Sequence, residues 1–183
     1  MKHIFIGGVA KSGKSTLAEK LCQNKKYNHI PLDYFASSLK HNFPETKITS
    51  NVIINEESSK NLSLLLSRVI NIMNDKEEPF IIDSAHILPK HIIEYIDLNK
   101  WDIYYIGYPN ITKEDKFNIL RKYDKETDWT RKRTDEELLN TIDKLITLSK
   151  EIELQCKEYN IPFIDTSKDL IKDIDNYLSK ITS

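Results

Sequence analysis

Short runs of apolar residues alternate along the chain with longer stretches in which apolar residues recur every three or four positions. The short runs are typical of strands that are buried on both faces, and the longer stretches are typical of helices with one buried face. Strands are predicted at 3–6, 28–33, 80–83, 101–107 and 161–165. Helices are predicted at 16–21, 34–39, 56–74, 89–96 and 112–123, after residue 134, and at 169–181.

This alternation predicts an α/β fold with a parallel sheet, right-handed crossovers and helices on both faces. The clearest helix is 56–74, where apolar residues fall at i, i+3, i+4, i+7, i+8 and i+11: Leu62, Leu65, Leu66, Val69, Ile70 and Met73. Thr134 and Glu137 form a capping-box pair ahead of a long amphipathic helix. The segment 43–55 has no pattern that assigns it to an element.

Length and charge indicate a single domain over 1–183, long enough to bury about 70% of its unfolded surface. The formal net charge is −1, with 27 basic and 28 acidic residues, so no overall field attracts nucleic acid or an anionic membrane. The two cysteines, Cys22 and Cys156, have no metal-binding spacing and are expected to be buried free thiols. No apolar run reaches transmembrane length, and we expect no signal peptide and a reducing, cytoplasmic setting.

Residues 8–15, with the sequence GVAKSGKS, match the pattern G-x-x-x-x-G-K-[ST] without a mismatch. They lie between a predicted strand and a predicted helix, and 7–13 holds three of the four glycines in the chain. Glycine permits backbone turns that let successive N–H groups point at one anion, and the helix N-terminus faces the same charge. The alternative is a simple glycine turn, which the strand–loop–helix context disfavours.

In a phosphate-binding loop of this kind, Lys14 reaches the β- and γ-phosphates of a nucleotide and the Ser15 hydroxyl binds Mg²⁺. The residues predicted to bind the nucleotide in this loop are Gly8, Val9, Ala10, Lys11, Ser12, Gly13, Lys14, Ser15 and Thr16.

Polar residues end four of the predicted strands: Asp33, Asp83, Tyr108 and Asp165. Ligands bind at the carboxyl ends of parallel strands, so we expect all four residues to face the phosphate loop. Asp83 is a candidate ligand of Mg²⁺ or of its water, and the alternative is a turn cap. Asp33 is a candidate general base, and a helix-capping role at Tyr34 is an equal alternative.

Three of the four arginines, Arg121, Arg131 and Arg133, flank or occupy a polar stretch over 124–133, which we name the lid segment. Arginines that close on a transferring phosphoryl group stabilise its charge. The alternative is a solvated charged loop, because acidic residues and lysines are also abundant there. His86 and His91 have no partner at ligand spacing and are expected on the surface or in helix packing. Tyr108 is a weaker candidate for lining the substrate pocket.

The sequence resembles the P-loop kinases of the nucleoside monophosphate kinase-like group, which includes adenylate, shikimate and gluconate kinases. The resemblance is carried by 8–15, by Asp33 after the second strand, by FIID at 80–83, by the arginine-bearing segment that ends at Arg133, and by IPFIDTS at 161–167. It implies a three-layer P-loop NTPase fold with strand order 2-3-1-4-5, and a lid before the last strand.

The resemblance also implies site roles. Lys14 and Ser15 would contact phosphate and Mg²⁺, Asp83 would lie beside the metal, and Asp33 would sit at the acceptor. Arg131 and Arg133 would act from the lid as catalytic residues. Arg121, Thr166 and Ser167 would add to the nucleotide site, the last two near the base.

The expected function is therefore transfer of the γ-phosphoryl group of ATP, with Mg²⁺, to a small hydroxyl- or phosphate-bearing acceptor. No arginine occurs in 34–67, where it would grip an acceptor phosphate, so a hydroxyl-bearing metabolite, nucleoside or sugar is as plausible as a mononucleotide. The alternatives are a nucleotide-binding module without kinase activity and a nucleic-acid end kinase. We expect no membrane partner, no nucleic acid, and a monomer or homodimer.

Overall fold

Strand β1 lies at the centre of a five-stranded parallel sheet with the order β2-β3-β1-β4-β5. The computed structural model describes residues 1–24 and 26–181. The strands are β1 (His3–Gly8), β2 (Asn28–Pro31), β3 (Phe80–Ser84), β4 (Trp101–Gly107) and β5 (Phe163–Asp165). In the sheet register, Ile6 of β1 pairs with Asp83 of β3, and Gly8 of β1 pairs with Ile106 of β4. The strand order and the parallel sheet confirm the predicted fold class.

Helices cover both faces of this sheet. They are α1 (Lys14–Asn24), α2 (Asp33–Asn42), α3 (Glu56–Met73), α4 (Pro89–Ile92), α5 (Lys113–Tyr123), α6 (Asp135–Glu158) and α7 (Leu170–Ile181). Alternate residues of β1 enter two separate cores, because successive side chains of a strand point to opposite faces. Phe5 packs with α3, α4 and α6, whereas Ile4 and Ile6 pack with α1 and α7.

Several element boundaries differ from the predicted ones. Helix α1 begins at Lys14 rather than at 16, and α2 begins at Asp33 rather than at 34. The second strand ends at Pro31 rather than at 33, and the helix predicted over 89–96 ends at Ile92. In α3, the predicted apolar stripe is buried at its centre, but Leu65 is 39% exposed. Leu65 lies at the edge of the stripe, about 60° from Leu62 around the helix axis, where the core no longer covers it.

The segment 43–55 packs on the core without regular periodicity. It contains one short 3-10 helix (Pro44–Thr46), and Lys47 follows it in the left-handed region at φ 55°. Ile48 is buried, and Val52, Ile53 and Ile54 pack against the α3 face of the core.

The cap of α6 confirms the predicted capping box, with Thr134 and Glu137 exchanging side-chain and backbone hydrogen bonds. Both cysteines are free thiols, and Cys156 is buried as expected, whereas Cys22 is half-buried. Among the described residues, no helix is both long enough and apolar enough to cross a membrane.

Candidate active site

The loop between β1 and α1, together with the last residue of β1, contains three residues with positive φ. Gly8 has φ 139° and Gly13 has φ 102°, values that side-chain-bearing residues rarely adopt. A Cβ atom at Gly8 would overlap the carbonyl oxygen of Ile106 on the neighbouring strand. Lys11 is in the left-handed region at φ 60°. These conformations turn the chain sharply into the N-terminus of α1.

Lys14 lies inside this loop and is only 6% exposed. Its Nζ donates a hydrogen bond of 2.7 Å to the carbonyl oxygen of Val9. Burial lowers the pKa of Lys14, and the nearby charges of Asp33 and Asp83 oppose that shift. The Ser12 hydroxyl is fully buried and has no hydrogen-bond partner among the described residues. A buried ammonium and an unpaired buried hydroxyl fit a loop that holds a polyphosphate.

Ser15 and Asp83 present oxygen atoms to the same point of the site. Ser15, in the first turn of α1, donates from Oγ to Oδ2 of Asp83 on β3 at 3.3 Å. His29 Nε2 lies 2.9 Å from the other carboxylate oxygen, Asp83 Oδ1, and so fixes the orientation of the carboxylate. A hydroxyl and a carboxylate are ligands that Mg²⁺ accepts. In 1–24 and 26–181, no group of three or more His, Cys, Asp or Glu side chains could hold a metal ion. A Mg²⁺ ion bound here would take its remaining ligands from phosphate oxygens and water.

Asp33 faces the cleft rather than the end of its own helix. Leu32 is the N-cap of α2, and it makes no side-chain capping bond. Asp33 Oδ1 instead accepts a hydrogen bond of 3.0 Å from the backbone N–H of Ala85, just after β3. The capping alternative for Asp33 is therefore wrong, because the helix begins one residue earlier than expected and its carboxylate is bound elsewhere.

His86 is a second partner of Asp33 that sequence reasoning missed. Its Nε2 lies 3.6 Å from Asp33 Oδ1, and the Asp33 side chain remains 48% exposed. Burial, and to a lesser degree Lys14, lowers the pKa of His86, while Asp33 opposes that shift. The backbone N–H thus holds one carboxylate oxygen, and the buried imidazole of His86 lies beside the same oxygen. His91 packs between helices as expected, with its Nδ1 2.8 Å from Ser59 Oγ.

A cleft of about 1030 Å³ lies over the phosphate loop. Of the predicted site residues, it is lined by Ala10, Lys11, Ser12, Gly13, Lys14, Ser15, Thr16, Asp33, Asp83, Thr166 and Ser167. Gly8 and Val9 lie behind the loop, where both are buried. The structure therefore brings the phosphate loop and both candidate carboxylates around one cavity.

The three arginines contact the lid segment and the first turns of α6 rather than the cleft. Arg121 donates from Nη1 to the Thr130 carbonyl at 3.0 Å and from Nη2 to the Arg133 carbonyl at 2.9 Å. Arg131 donates to the Asp124 carbonyl at 3.1 Å. Arg133 donates to Thr141 Oγ1 at 2.9 Å and lies over the Trp129 ring.

None of these three arginines lines the described cleft. Guanidinium groups carry several donors, and those of Arg121 and Arg131 pair with carbonyls that a segment without helix or strand leaves free. Arg121 also pairs with the Asp135 carboxylate at 2.7 Å. The side chains of the lid segment that do line the cleft are Asp124, Lys125 and Trp129.

Two carboxylates of the lid segment are paired with the phosphate loop. Lys11 Nζ lies 3.1 Å from Asp124 Oδ1 and 2.9 Å from Asp128 Oδ2. The hydrogen bond from Lys11 lowers the pKa of Asp128, and burial opposes that shift. The lid segment is thus held against the loop by ion pairs to a residue of the loop.

The other residues at the strand ends have structural contacts. Thr166 Oγ1 lies 3.1 Å from the Ser12 and Gly107 carbonyls, so it contacts the phosphate loop directly. Ser167 donates to Asp165, which also accepts from Asn110. Asp165 was expected to face the loop, but it is turned toward the β5–α7 turn and does not line the cleft. Tyr108 does not line the cleft either, but it does face the loop as expected: its ring is fully buried and its hydroxyl donates to the Ala10 carbonyl at 2.9 Å.

Sequence reasoning missed the wall that α5 contributes to the cleft. Lys116, Ile119, Leu120 and Tyr123 all line the cavity. They are separated by three, one and three residues, which places all four on one face of a helix. This spacing is the signal in the sequence from which the wall could have been predicted. Lys116 is only 4% exposed, although lysine is seldom buried.

Solved structures match this chain over its whole length. A shikimate kinase from Bacteroides thetaiotaomicron superimposes with a TM-score of 0.61 at 15% sequence identity, covering 100% of this chain and 99% of that chain. A sugar kinase from Janibacter sp. has a TM-score of 0.61 at 15% identity, covering 100% and 95%. A deoxyadenosine kinase from M. mycoides, with bound dATP, has a TM-score of 0.53 at 15% identity, covering 100% of each chain.

No protein-family model and no curated protein sequence matches the chain. At 15% identity, a structural likeness shows the fold and leaves the substrate open. The strand order, the loop between β1 and α1, and these matches agree with one another. The chain therefore has the fold of the nucleoside monophosphate kinase-like P-loop kinases.

Proposed function

We propose that the protein is an ATP-dependent phosphotransferase that phosphorylates a hydroxyl group of a small molecule. The observation that carries this proposal is the convergence of Lys14, Ser15, Asp83 and Asp33 on one cleft. Donor-binding groups and a candidate base are both needed for phosphoryl transfer, and a module that only binds nucleotide has no need of the base.

The donor half of the site is the phosphate loop. Backbone N–H groups of the loop and the ammonium of Lys14 would bind the phosphates of ATP. Ser15 and Asp83 would hold Mg²⁺, Asp83 directly or through water, and the ion would neutralise charge on the phosphate oxygens. The adenine ring of ATP would lie against the apolar face of α5, opposite the β5–α7 turn and near Ser167.

The acceptor half is centred on Asp33. The Ala85 N–H donates to Oδ1, His86 lies 3.6 Å from the same oxygen, and Oδ2 has no hydrogen-bond partner among the described residues. We propose that Oδ2 accepts the proton of the acceptor hydroxyl while the hydroxyl oxygen forms a bond to the γ-phosphorus of ATP. The bond from that phosphorus to the bridging oxygen breaks at the same time, and ADP leaves with its electron pair.

The charges around Asp33 favour a neutral acceptor over a phosphorylated one. Asp33 and Asp83 both line this side of the cleft, and each would repel an acidic acceptor. The lysines that line the cleft are in the phosphate loop, in α5, in the lid segment and after β5: Lys11, Lys14, Lys116, Lys125 and Lys168. A sugar, nucleoside or other polyol is therefore the proposed acceptor class.

Asp33→Asn tests the proposal. Asparagine retains an oxygen that accepts from the Ala85 N–H, so we expect ATP affinity within about twofold of the wild type. Acceptor-dependent ADP formation should fall by about 100-fold or more, because general-base catalysis is worth roughly 10²–10⁴. The assay measures ADP release with ATP, Mg²⁺ and a panel of neutral polyols, nucleosides, sugar acids and mononucleotides.

Asp102→Asn is the matched control, because Asp102 lies at the opposite end of β4 and pairs with Lys2. Two results would contradict the proposal: no acceptor in the panel raises ADP release above the basal rate, or Asp33→Asn leaves the stimulated rate unchanged.

We also propose a reducing, cytoplasmic setting, which the two free cysteines support. A monomer or homodimer is proposed as the working state.

A further inference from the structure

Four successive carbonyl groups of the phosphate loop are each held by a side-chain donor. Lys14 Nζ donates to Val9 at 2.7 Å, Tyr108 Oη to Ala10 at 2.9 Å, Lys116 Nζ to Lys11 at 2.8 Å, and Thr166 Oγ1 to Ser12 at 3.1 Å. Only Lys14 belongs to the sequence motif. The other three donors come from the end of β4, from α5 and from the end of β5.

The partners of these carbonyls determine where the amide groups of the loop point. In a planar peptide unit, the C=O of one residue and the N–H of the next point in opposite directions. The N–H groups that follow the four held carbonyls belong to Ala10, Lys11, Ser12 and Gly13. None of these four N–H groups donates to any residue that the structure describes, and all four residues line the cleft. Unpaired N–H groups that converge on a cavity form an anion-binding nest.

Tyr108 and Lys116 hold the middle of this loop as a pair. The Lys116 ammonium lies 3.8 Å from the centroid of the Tyr108 ring, and both side chains are buried. The ring restricts the position of the ammonium. The Tyr108 hydroxyl and the Lys116 ammonium donate to adjacent carbonyls, those of Ala10 and Lys11. A loop whose peptide units are fixed in this way needs little reorganisation when an anion binds.

We propose that Tyr108 and Lys116 are positioning residues that preorganise the phosphate loop for polyphosphate binding. The inference rests on the part of the proposed function that assigns polyphosphate binding to this loop. Lys116 also brings a positive charge to the loop, so its removal has two effects. Tyr108→Phe separates them, because it deletes one hydrogen bond and leaves the ring and the lysine in place.

The experiment is a calorimetric titration of the full-length protein with inorganic tripolyphosphate in the presence of Mg²⁺. We expect Tyr108→Phe to weaken binding by about threefold to tenfold, the range that the loss of one intramolecular hydrogen bond implies. Lys116→Met should weaken binding by about tenfold or more, because the bond that it loses is charge-assisted.

Each variant has a matched control. Tyr105→Phe removes another buried hydroxyl from β4, one that donates at 3.0 Å to the Ile87 carbonyl and not to the loop. Lys113→Met removes one positive charge from the first turn of α5. Both controls should bind tripolyphosphate within about twofold of the wild type. Thermal unfolding of every ligand-free variant separates a general loss of stability from a loss of affinity.

The outcomes distinguish the two proposals. If the wild type binds neither tripolyphosphate nor ATP, the proposed function fails. If the wild type binds both and Tyr108→Phe binds equally well, the positioning role is wrong, even if Lys116→Met binds weakly, because charge alone would then explain the lysine. If Tyr105→Phe weakens binding as much as Tyr108→Phe, the effect is a general one and the inference is also overturned.

Discussion

The ion pairs of Lys11 predict that the lid segment competes with nucleotide for the phosphate loop. Lys11 belongs to the loop, and its ammonium is paired with Asp124 at 3.1 Å and with Asp128 at 2.9 Å. A polyphosphate in the loop would take the same ammonium and would be repelled by both carboxylates. Asp128→Asn keeps the size of the side chain and removes one competing charge. We therefore expect this variant to bind ATP more tightly than the wild type does.

The exposure of the pair sets the size of the effect. The side chains of Lys11 and Asp128 are 22% and 30% exposed, so solvent screens the pair in part. An exposed pair contributes about 0.2–1 kcal/mol, and we take the upper end, about 1 kcal/mol, for this partly buried one. That free energy corresponds to about a fivefold lower Kd. The gain should shrink at high salt because ions screen the competing charge.

Calorimetric titration with ATP and Mg²⁺, at low and at high salt, measures this effect. Asp175→Asn is the control, because it makes the same charge change at an exposed pair with Lys20 on the α1–α7 side of the sheet. The competition argument would be refuted if Asp128→Asn bound ATP as the wild type does, or less tightly. Weaker binding would mean that Asp128 orients Lys11 for the nucleotide.

Two further predictions concern the loop and its buried lysine. Gly8→Ala should lower the free energy of unfolding by at least about 3 kcal/mol in denaturant melts, because its Cβ would overlap a β4 carbonyl at a strained positive φ; a loss below about 1 kcal/mol would contradict this. Burial lowers the pKa of Lys116 from 10.5 to about 8, with Asp124 opposing the shift and Lys11 and Lys14 adding to it. Below pH 8 both the folded and the unfolded states carry the proton, and the cost of burying the charge is fully present. Between about pH 8 and 10.5 the unfolded chain binds more protons, so the wild type should gain stability with rising pH relative to Lys116→Met; a pH-independent difference would refute this.

The sequence was sufficient for features whose signal is local. The glycine spacing predicted the sharp turn between β1 and α1, and the apolar runs predicted the strands, because both depend on a few consecutive residues. Asp33 and Asp83 were predicted to meet because parallel strands end at one edge of a sheet, and both line the cleft. Asp165 follows the same rule and yet turns away, because Asn110 and Ser167 bind its carboxylate.

Contacts between distant residues were not predictable from local patterns. The Lys116 ammonium and the Lys11 carbonyl are 105 residues apart in sequence. The helical spacing of Lys116 places it on the apolar face of α5, but no local pattern shows that it contacts the Lys11 carbonyl. The His86 contact with Asp33 was missed for the same reason.

The arginines of the lid segment show a different limit. The clustering of the arginines singled out this segment, but composition does not determine where the guanidinium groups point. Arg121 and Arg131 donate to backbone carbonyls of the segment, as expected where irregular backbone leaves acceptors free. The segment 43–55 could not be assigned because its apolar residues pack on the core from an irregular chain, which has no periodicity to detect.

Direct observation of the transferred phosphoryl group tests the central claim. Phosphorus NMR can follow ATP and Mg²⁺ with the protein and a mixture of neutral hydroxyl-bearing acceptors. We predict that the γ-phosphate signal is replaced by that of a phosphomonoester, with one ADP formed for each ester, and that Asp33→Asn abolishes the ester signal. If the protein binds ATP and yet forms no phosphomonoester with any of these acceptors, the proposal is contradicted and a nucleotide-binding module remains.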